Sequence, residues 1–232
     1  MKKKLTVLTG AGMSAESGIS TFRDSNGLWN NYPVSQVATP EGFAANPQLV
    51  LDFYNERRRE LLRAQPNDGH RGLAALEKDF DVHIVTQNVD NLHERAGSTH
   101  VIHLHGELMK SCPVNDTNRA YDIPSDRPDL HVDDRDADGN RLRPFIVWFG
   151  EAVPMMDRAT EWVEAADIFV IIGTSLSVYP AAGLLHCVRS GRPVYLIDPN
   201  DVKTYRNDMH VIRAGASEGV KRLEEMLKKS NL

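Results

Sequence analysis

Short, β-rich apolar runs recur along this chain at Leu5 to Leu8, Val82 to Thr86, Val101 to Leu104, Phe145 to Phe149, Ile168 to Ile172 and Val194 to Ile197, and helix-like stretches separate most of them. Alternation of this kind predicts an α/β fold, a parallel sheet wrapped by helices, with ligands gathered at the carboxyl ends of the strands. Polar groups do follow those strands. Gln87-Asn88 comes after Thr86, Gly173-Thr174-Ser175 after Ile172 and Asp198 after Ile197, so one crevice would collect them all.

Two segments break the alternation. Residues from about Asn30 to Gln65 are helical in pattern, while Lys110 to Arg143 reads as an acidic loop too poor in apolar residues to build its own core. Both are read as insertions. One domain of 232 residues then has a large lobe at about 1–31, 67–109 and 144–232, and a small lobe at about 32–66 and 110–143. Within the second insertion, Asp134-x-Asp136-x-Asp138-Gly139 resembles the start of a calcium loop. Its twelfth position is Phe145 rather than a bidentate Glu, so a solvated hairpin turn is expected.

Composition excludes several classes of function. The net charge is −5 and the basic residues are scattered, which argues against nucleic acid as a partner. Only four residues separate Lys4 from Thr9, so no secretory apolar stretch follows the basic start and no membrane span is expected. Cys112 and Cys187 are the two cysteines, which makes a reducing cytoplasm the default compartment.

The first strand runs into TGAGMSAESGISTFR, Thr9 to Arg23. Gly10 and Gly12 would let the backbone approach an anion, and a following helix would offer free N–H groups. Ala15 stands where the dinucleotide fingerprint has its third glycine, and a plain turn capped by Ser14 explains the same residues. In TQNVDNLHERAG, Thr86 to Gly97, the amides of Gln87 and Asn88 and the Asp90 carboxylate could bind a ribose or a carboxamide; Asp90 could equally cap a helix. His103 and His105 in HLHG are two apart on a strand and share a face. No third ligand stands at metal spacing, so His105 reads as a single working histidine and His103 as structural.

The blocks GAGMSAESGISTFR, TQNVDNLHERAG, HLHG, FIVWFGE, GTS and the strand ending at Asp198 occur in the order found in sirtuins, and the chain resembles that family of NAD-dependent protein lysine deacylases over nearly its whole length. The fold this implies is a Rossmann-like large lobe with a small inserted lobe, NAD and an acylated lysine peptide meeting between them. By this resemblance Gly10, Ala11 and Gly12, with Ala15 and Glu16, belong to the pyrophosphate loop, and Phe22 and Arg23 to a flap over the nicotinamide ribose. Trp29 joins the cofactor set. Gln87, Asn88 and Asp90 match the nicotinamide and ribose pocket, Gly173, Thr174 and Ser175 a second phosphate and ribose contact, and Asp198, Pro199, Asn200 and Ala216 the adenosine end. Family members often carry Asn where Asp198 stands. His105 matches the general base, taking a proton from a ribose hydroxyl after the acyl oxygen has displaced nicotinamide, with Asn88 and Asp90 stabilising positive charge. Val147, Phe149 and Gly150 would bind the substrate peptide as an added strand.

In the helix expected over Pro47 to Ala64, Val50, Tyr54, Arg57 and Leu61 form one stripe. A guanidinium in an apolar face asks for an anion. Glu60 or Glu56 could supply it. The Tyr-x-x-Arg pair also matches the one that holds the distal carboxylate of acidic acyl groups in the desuccinylase and demalonylase branch, so succinyl and malonyl lysine are expected substrates beside acetyl lysine. The family's two Cys-x-x-Cys pairs are missing here: only Cys112 lies between His105 and the WFGE block, so no zinc is expected and no metal ligands are assigned. ADP-ribosyl transfer to protein, or non-catalytic NAD sensing, are the alternatives; His105 and the Tyr54–Arg57 pair favour deacylation.

Overall fold

The computed structural model describes residues 2–20, 28–29 and 32–229, with backbone only at 28–29. In chain order the elements are β1 (Lys4–Thr9), β2 (Leu28–Trp29), β3 (Tyr32–Pro33), α1 (Val34–Val37), α2 (Pro40–Ala45), α3 (Pro47–Arg63) and α4 (Asp68–Leu76). Then follow β4 (Asp81–Thr86), α5 (Leu92–Arg95), β5 (Val101–His103), β6 (Gly106–Pro113), β7 (Tyr121–Asp122) and β8 (Leu142–Ile146). The chain continues through α6 (Met156–Glu164), β9 (Ile168–Ile172), β10 (Val194–Ile197), β11 (His210–Ile212) and α7 (Ala216–Lys229).

Six strands form one parallel sheet in the order β11-β10-β9-β1-β4-β5. All five residues of β9 are buried, as expected of a strand covered on both faces. Alternate side chains feed two cores. Leu5, Val7, Ile84 and Val170 pack under α4 and α7, with Leu73, Val220 and Leu223. Leu8, Val85, Phe169 and Ile171 pack against Ala159 and Val163 of α6 and against the 3₁₀ segment Ala181–Cys187. β1 is flanked by β4 on one side and β9 on the other, so the strand order reverses at its carboxyl end, where ligands of such sheets bind.

The sheet corrects two sequence expectations. Its sixth strand is β11, a half-exposed run of three residues. The run from Phe145 instead contributes to β8, which lies antiparallel to β6 in a separate sheet ordered β7-β6-β8. An apolar run does not reveal the direction of its partner. Residues 106–109 and 144–146, assigned to the large lobe from sequence, lie in the strands β6 and β8 of this second sheet. Gly106 permits the turn into it, because its φ is +85° and any side chain would strike the Phe145 carbonyl.

α3 starts where Asn46 caps it, accepting from Leu49 N at 3.1 Å, with Pro47 in its first turn. The stripe of Val50, Tyr54, Arg57 and Leu61 is buried as expected. Arg58, off that stripe, is buried completely. It donates to the carbonyls of Pro128 at 2.5 Å and Leu108 at 3.5 Å, and to Asn55 Oδ1. Asn55 in turn donates to Leu130 O at 3.0 Å and accepts from Leu130 N at 2.9 Å. The acidic segment thus has no core of its own but borrows α3: Ile123 and Leu130 join a cluster with Val50, Leu51, Tyr54 and Leu61. Its Asp134–Gly139 stretch forms a hairpin turn, the Asp136 carboxylate accepting from Asp138 N at 3.0 Å and Asn140 N at 2.8 Å.

Candidate active site

The carboxyl ends of β1, β4 and β9, the β5–β6 turn, α3 and the segment after β8 enclose a cleft of about 580 Å³. After β1 the chain makes two 3₁₀ turns, Ala11–Met13 and Ala15–Ser17, where an α-helix was expected. The turn therefore does not offer an anion the free N–H groups of an α-helix start. The glycines serve the approach of two loops. Gly10 N donates to Ile172 O at 3.0 Å and Gly12 N to Gly173 O at 2.9 Å. A Cβ on Gly10 would lie 2.7 Å from Thr174 Cβ, and one on Gly12 2.7 Å from Gly173 Cα. Gly10, Ala11, Gly173, Thr174 and Ser175 line the cleft together. Gln87 Nε2 ties the group to the next strand end by donating to Thr174 Oγ1 at 3.1 Å.

Behind these loops Ser14, fully buried, organises the pocket rather than capping a helix. Its hydroxyl donates to Asp90 Oδ2 at 2.8 Å, so its oxygen is left to accept Asn88 Nδ2 at 3.2 Å. Asn88 Nδ2 also donates to Gly10 O at 3.1 Å. With both amide protons committed, Asn88 presents its carbonyl oxygen as the group for a ligand. Asp90 accepts from Leu92 N at 3.1 Å. Burial raises the Asp90 carboxyl above its ordinary range, and the Leu92 and Ser14 donors oppose that rise.

The two histidines of HLHG differ in what holds them. His103 bridges Asn88 O at 3.0 Å and Glu94 Oε1 at 2.7 Å, a satisfied structural pair. Burial lowers its pKa, but Glu94 outweighs burial and the net shift is upward. His105 lines the cleft, with Nδ1 3.0 Å from Gln87 O. A carbonyl only accepts, so Nδ1 carries the proton and Nε2 keeps the lone pair. Burial holds the His105 pKa below its ordinary value, which favours that neutral form near pH 7.

On the opposite wall Tyr54 and Arg57 also line the cleft. Tyr54 Oη accepts from Trp148 Nε1 at 3.0 Å, and burial pushes the phenol upward. Arg57 lies 4.8 Å from the centre of the Phe53 ring and donates to both Glu60 oxygens, at 3.0 and 3.3 Å. Glu56 comes within 3.2 Å. Both protein carboxylates considered from sequence are thus engaged. Val147, Phe149 and Gly150 line the cleft, but β8 stops at Ile146 and the segment is no free strand edge. The N–H groups of Val147, Trp148 and Phe149 are used by His105 O at 2.9 Å, the Glu151 carboxylate at 2.8 Å and Ala38 O at 3.0 Å.

Other expected residues lie outside the cleft lining. Gly12 packs against Gly173, Ala15 is exposed, and Glu16 accepts from Ser217 N at 3.2 Å in the first turn of α7. Ala216 packs against Gly69. Asp198 is buried and accepts from Asn200 N at 2.9 Å, which forms the turn through Pro199. Phe22, Arg23 and the Trp29 side chain fall outside the described residues. Sequence reasoning missed Ser14 as the pocket's organiser, together with Ser177 to Pro180, which close the cleft from the β9 side.

The residues from β6 to β8 do not fit a structural zinc. Cys112 is buried with its thiol toward Pro144 O at 3.9 Å, and burial pushes its pKa up to about 11. Arg143 anchors that region instead, holding Glu151 at 2.6 and 2.9 Å and Ile146 O at 2.7 Å while stacked 3.5 Å from the Trp148 ring.

A parallel sheet with its crevice at the switch point, lined by two glycine loops and one tautomer-fixed histidine, defines a nucleotide-dependent enzyme architecture. Residues 10–180 match the model of the Sir2 family, and the chain belongs to that family, the sirtuins. An NAD-dependent protein deacylase from Bacteroides thetaiotaomicron is 61% identical over 229 residues, 97% of this chain and 98% of that protein. Among solved structures, a Sir2 homologue in complex with ADP-ribose superposes with a TM-score of 0.90 at 39% identity, covering 99% of this chain and 93% of the other. A Sir2 homologue–NAD complex gives 0.88 at 40% identity, covering 99% and 91%. Among the described residues no helix is long and apolar enough to cross a membrane.

Proposed function

We propose that this chain removes acyl groups from protein lysines with consumption of NAD, giving nicotinamide and an O-acyl-ADP-ribose. The observation that carries the reading is His105, whose Nε2 lone pair is presented in the same cleft as the two glycine loops. When bound, NAD supplies the nicotinamide–ribose bond that is broken and the sugar that accepts the acyl group. His105 Nε2 takes a proton from a ribose hydroxyl, with Gln87 O holding the ring through Nδ1. The Asn88 carbonyl oxygen and the Asp90 carboxylate provide negative potential where positive charge develops on the sugar, and Ser14 fixes both. Gly10, Ala11 and Gly173 to Ser175 bind the phosphates and ribose, and Asp198 to Asn200 with Ala216 form the adenosine end.

The acylated peptide lies along Val147 to Gly150. Because the N–H groups of Val147, Trp148 and Phe149 are committed, it pairs with those residues through carbonyl oxygens and by apolar contact. Acidic acyl groups are substrates beside acetyl: Tyr54 and Arg57 hold the distal carboxylate, which displaces Glu60 from the guanidinium. Glu60 is a surface carboxylate, 38% exposed in its side chain, so releasing it costs little. The test is Arg57→Met on matched peptides. Desuccinylation should fall at least tenfold more than deacetylation, whereas equal loss of both removes the acidic-acyl reading and leaves deacylation standing.

A further inference from the structure

Far from the cleft, at the opposite end of the large sheet, three potential metal ligands converge. Asp81 and His83 are two apart on β4 and therefore share a face. His100 precedes β5, and the parallel pairing of Ile84 with Val101 sets it beside His83. One donor atom from each of the three lies within 4.8 Å of the others, the only such group among the described residues. Sequence spacing hides the cluster, because His83 and His100 meet only when β4 and β5 pair.

We propose that Asp81, His83 and His100 form an exchangeable site for a divalent transition metal ion of the zinc, nickel or copper type. His83 Nε2 and Asp81 Oδ1 are 3.0 Å apart. Two ligand atoms about 2.1 Å from a metal and at right angles are separated by about 3.0 Å, so an ion can replace the proton they share without moving either group far. His100 is prepared by its neighbours. Thr99 Oγ1 gives its proton to Glu77 Oε2 at 2.9 Å and therefore accepts from His100 Nδ1 at 3.1 Å. That carboxylate–hydroxyl–imidazole chain fixes the tautomer with Nε2 free to ligate, as outer-shell partners do for metal-bound histidines. The His83 and His100 rings are stacked, 5.1 Å apart at 21°, and Trp162 meets His83 edge-on at 4.5 Å.

Charge and donor type set the choice of ion. The adjoining hollow carries Lys2 and Lys4 as well as Glu77 and Asp81, so carboxylate charge is offset by ammonium groups. Hard cations that depend on acidic oxygen are disfavoured, and two imidazoles with one carboxylate suit the transition series. Bound there, the ion would staple the three-residue edge strand β5 to β4 at the end of the sheet remote from the cleft.

The experiment is a calorimetric titration of the chelator-treated full-length protein with Zn²⁺, paired with Cu²⁺ quenching of tryptophan fluorescence. One equivalent should bind, and His83→Asn and His100→Ala should each weaken binding at least tenfold. Cu²⁺ should quench the wild-type emission, and Trp162→Phe should bind Cu²⁺ equally but lose that component of quenching. His100→Ala changes an exposed side chain, so it should keep the wild-type melting temperature and deacylase activity. Absence of a stoichiometric site, or binding and quenching unchanged in both histidine variants, overturns the proposal.

Discussion

The two walls of the cleft are built on different principles. On the large-sheet wall, His105, Asn88 and Asp90 are held by backbone carbonyls and by buried Ser14, partners that have no other geometry to adopt. On the α3 wall, Arg57 is held by Glu60 and Glu56, carboxylates whose outer faces are in solvent. Groups that must meet a developing charge gain from being fixed beforehand. A group that selects among acyl chains gains from a partner that can leave. Under the proposed function, the contrast would separate a wall for bond breaking from one for acyl choice.

The sharpest way to break this contrast is His105→Ala. Turnover should fall by about 10²- to 10⁴-fold, the range for loss of a general base, while thermal melting shifts little. A modest loss of activity would move the chemistry elsewhere. Next comes the packing that supports the α3 side. Arg143→Ala leaves the half-buried Glu151 carboxylate with only the Trp148 N–H and should cost about 1–3 kcal/mol in urea denaturation. A cost near zero would mean that the antiparallel sheet is held by something other than this ion pair.

Acid–base behaviour sharpens the comparison within the large-sheet wall. Because burial lowers the His105 pKa, the neutral base is present at and above pH 6.5, and the acid limb of kcat/KM should have its midpoint below the ordinary histidine value of about 6.5. His103 goes the other way. Its folded pKa is raised by Glu94, so the ion pair's contribution to stability is complete below about pH 6.5 and fades as pH rises through the raised value. Histidine NMR titrations should place the two on opposite sides of that reference; coincident titrations would contradict the assignment. The smallest effect concerns Glu60→Gln. Removing the competing charge should raise kcat/KM for succinyl relative to acetyl peptide a few-fold, and an unchanged ratio would show that Glu60 does not compete.

Much of this was legible in the sequence for specific reasons. β1, β4, β5, β9 and β10 sit where apolar runs of four or five residues were read, because strands of a sheet covered on both faces carry few polar residues. β11 escaped notice, since two of its three residues face solvent. The stripe on α3 was visible from its period, yet Arg58 was not, because its partners Pro128 and Leu108 belong to segments far along the chain. Ser14 was equally hidden. Its partners Asp90 and Asn88 are 76 and 74 residues away, and no local pattern marks a hydroxyl that two strand ends will share.

The most direct test of the whole account is to follow nicotinamide and free lysine peptide together. Purified full-length protein would be given NAD with matched acetyl-, succinyl- and malonyl-lysine peptides, and with the unacylated peptide. The account predicts equal amounts of nicotinamide and newly deacylated peptide, no nicotinamide with the unacylated peptide, and loss of steady-state turnover by both readouts in His105→Ala. Nicotinamide release without an acylated peptide, or ADP-ribose appearing on protein in place of O-acyl-ADP-ribose, would contradict it.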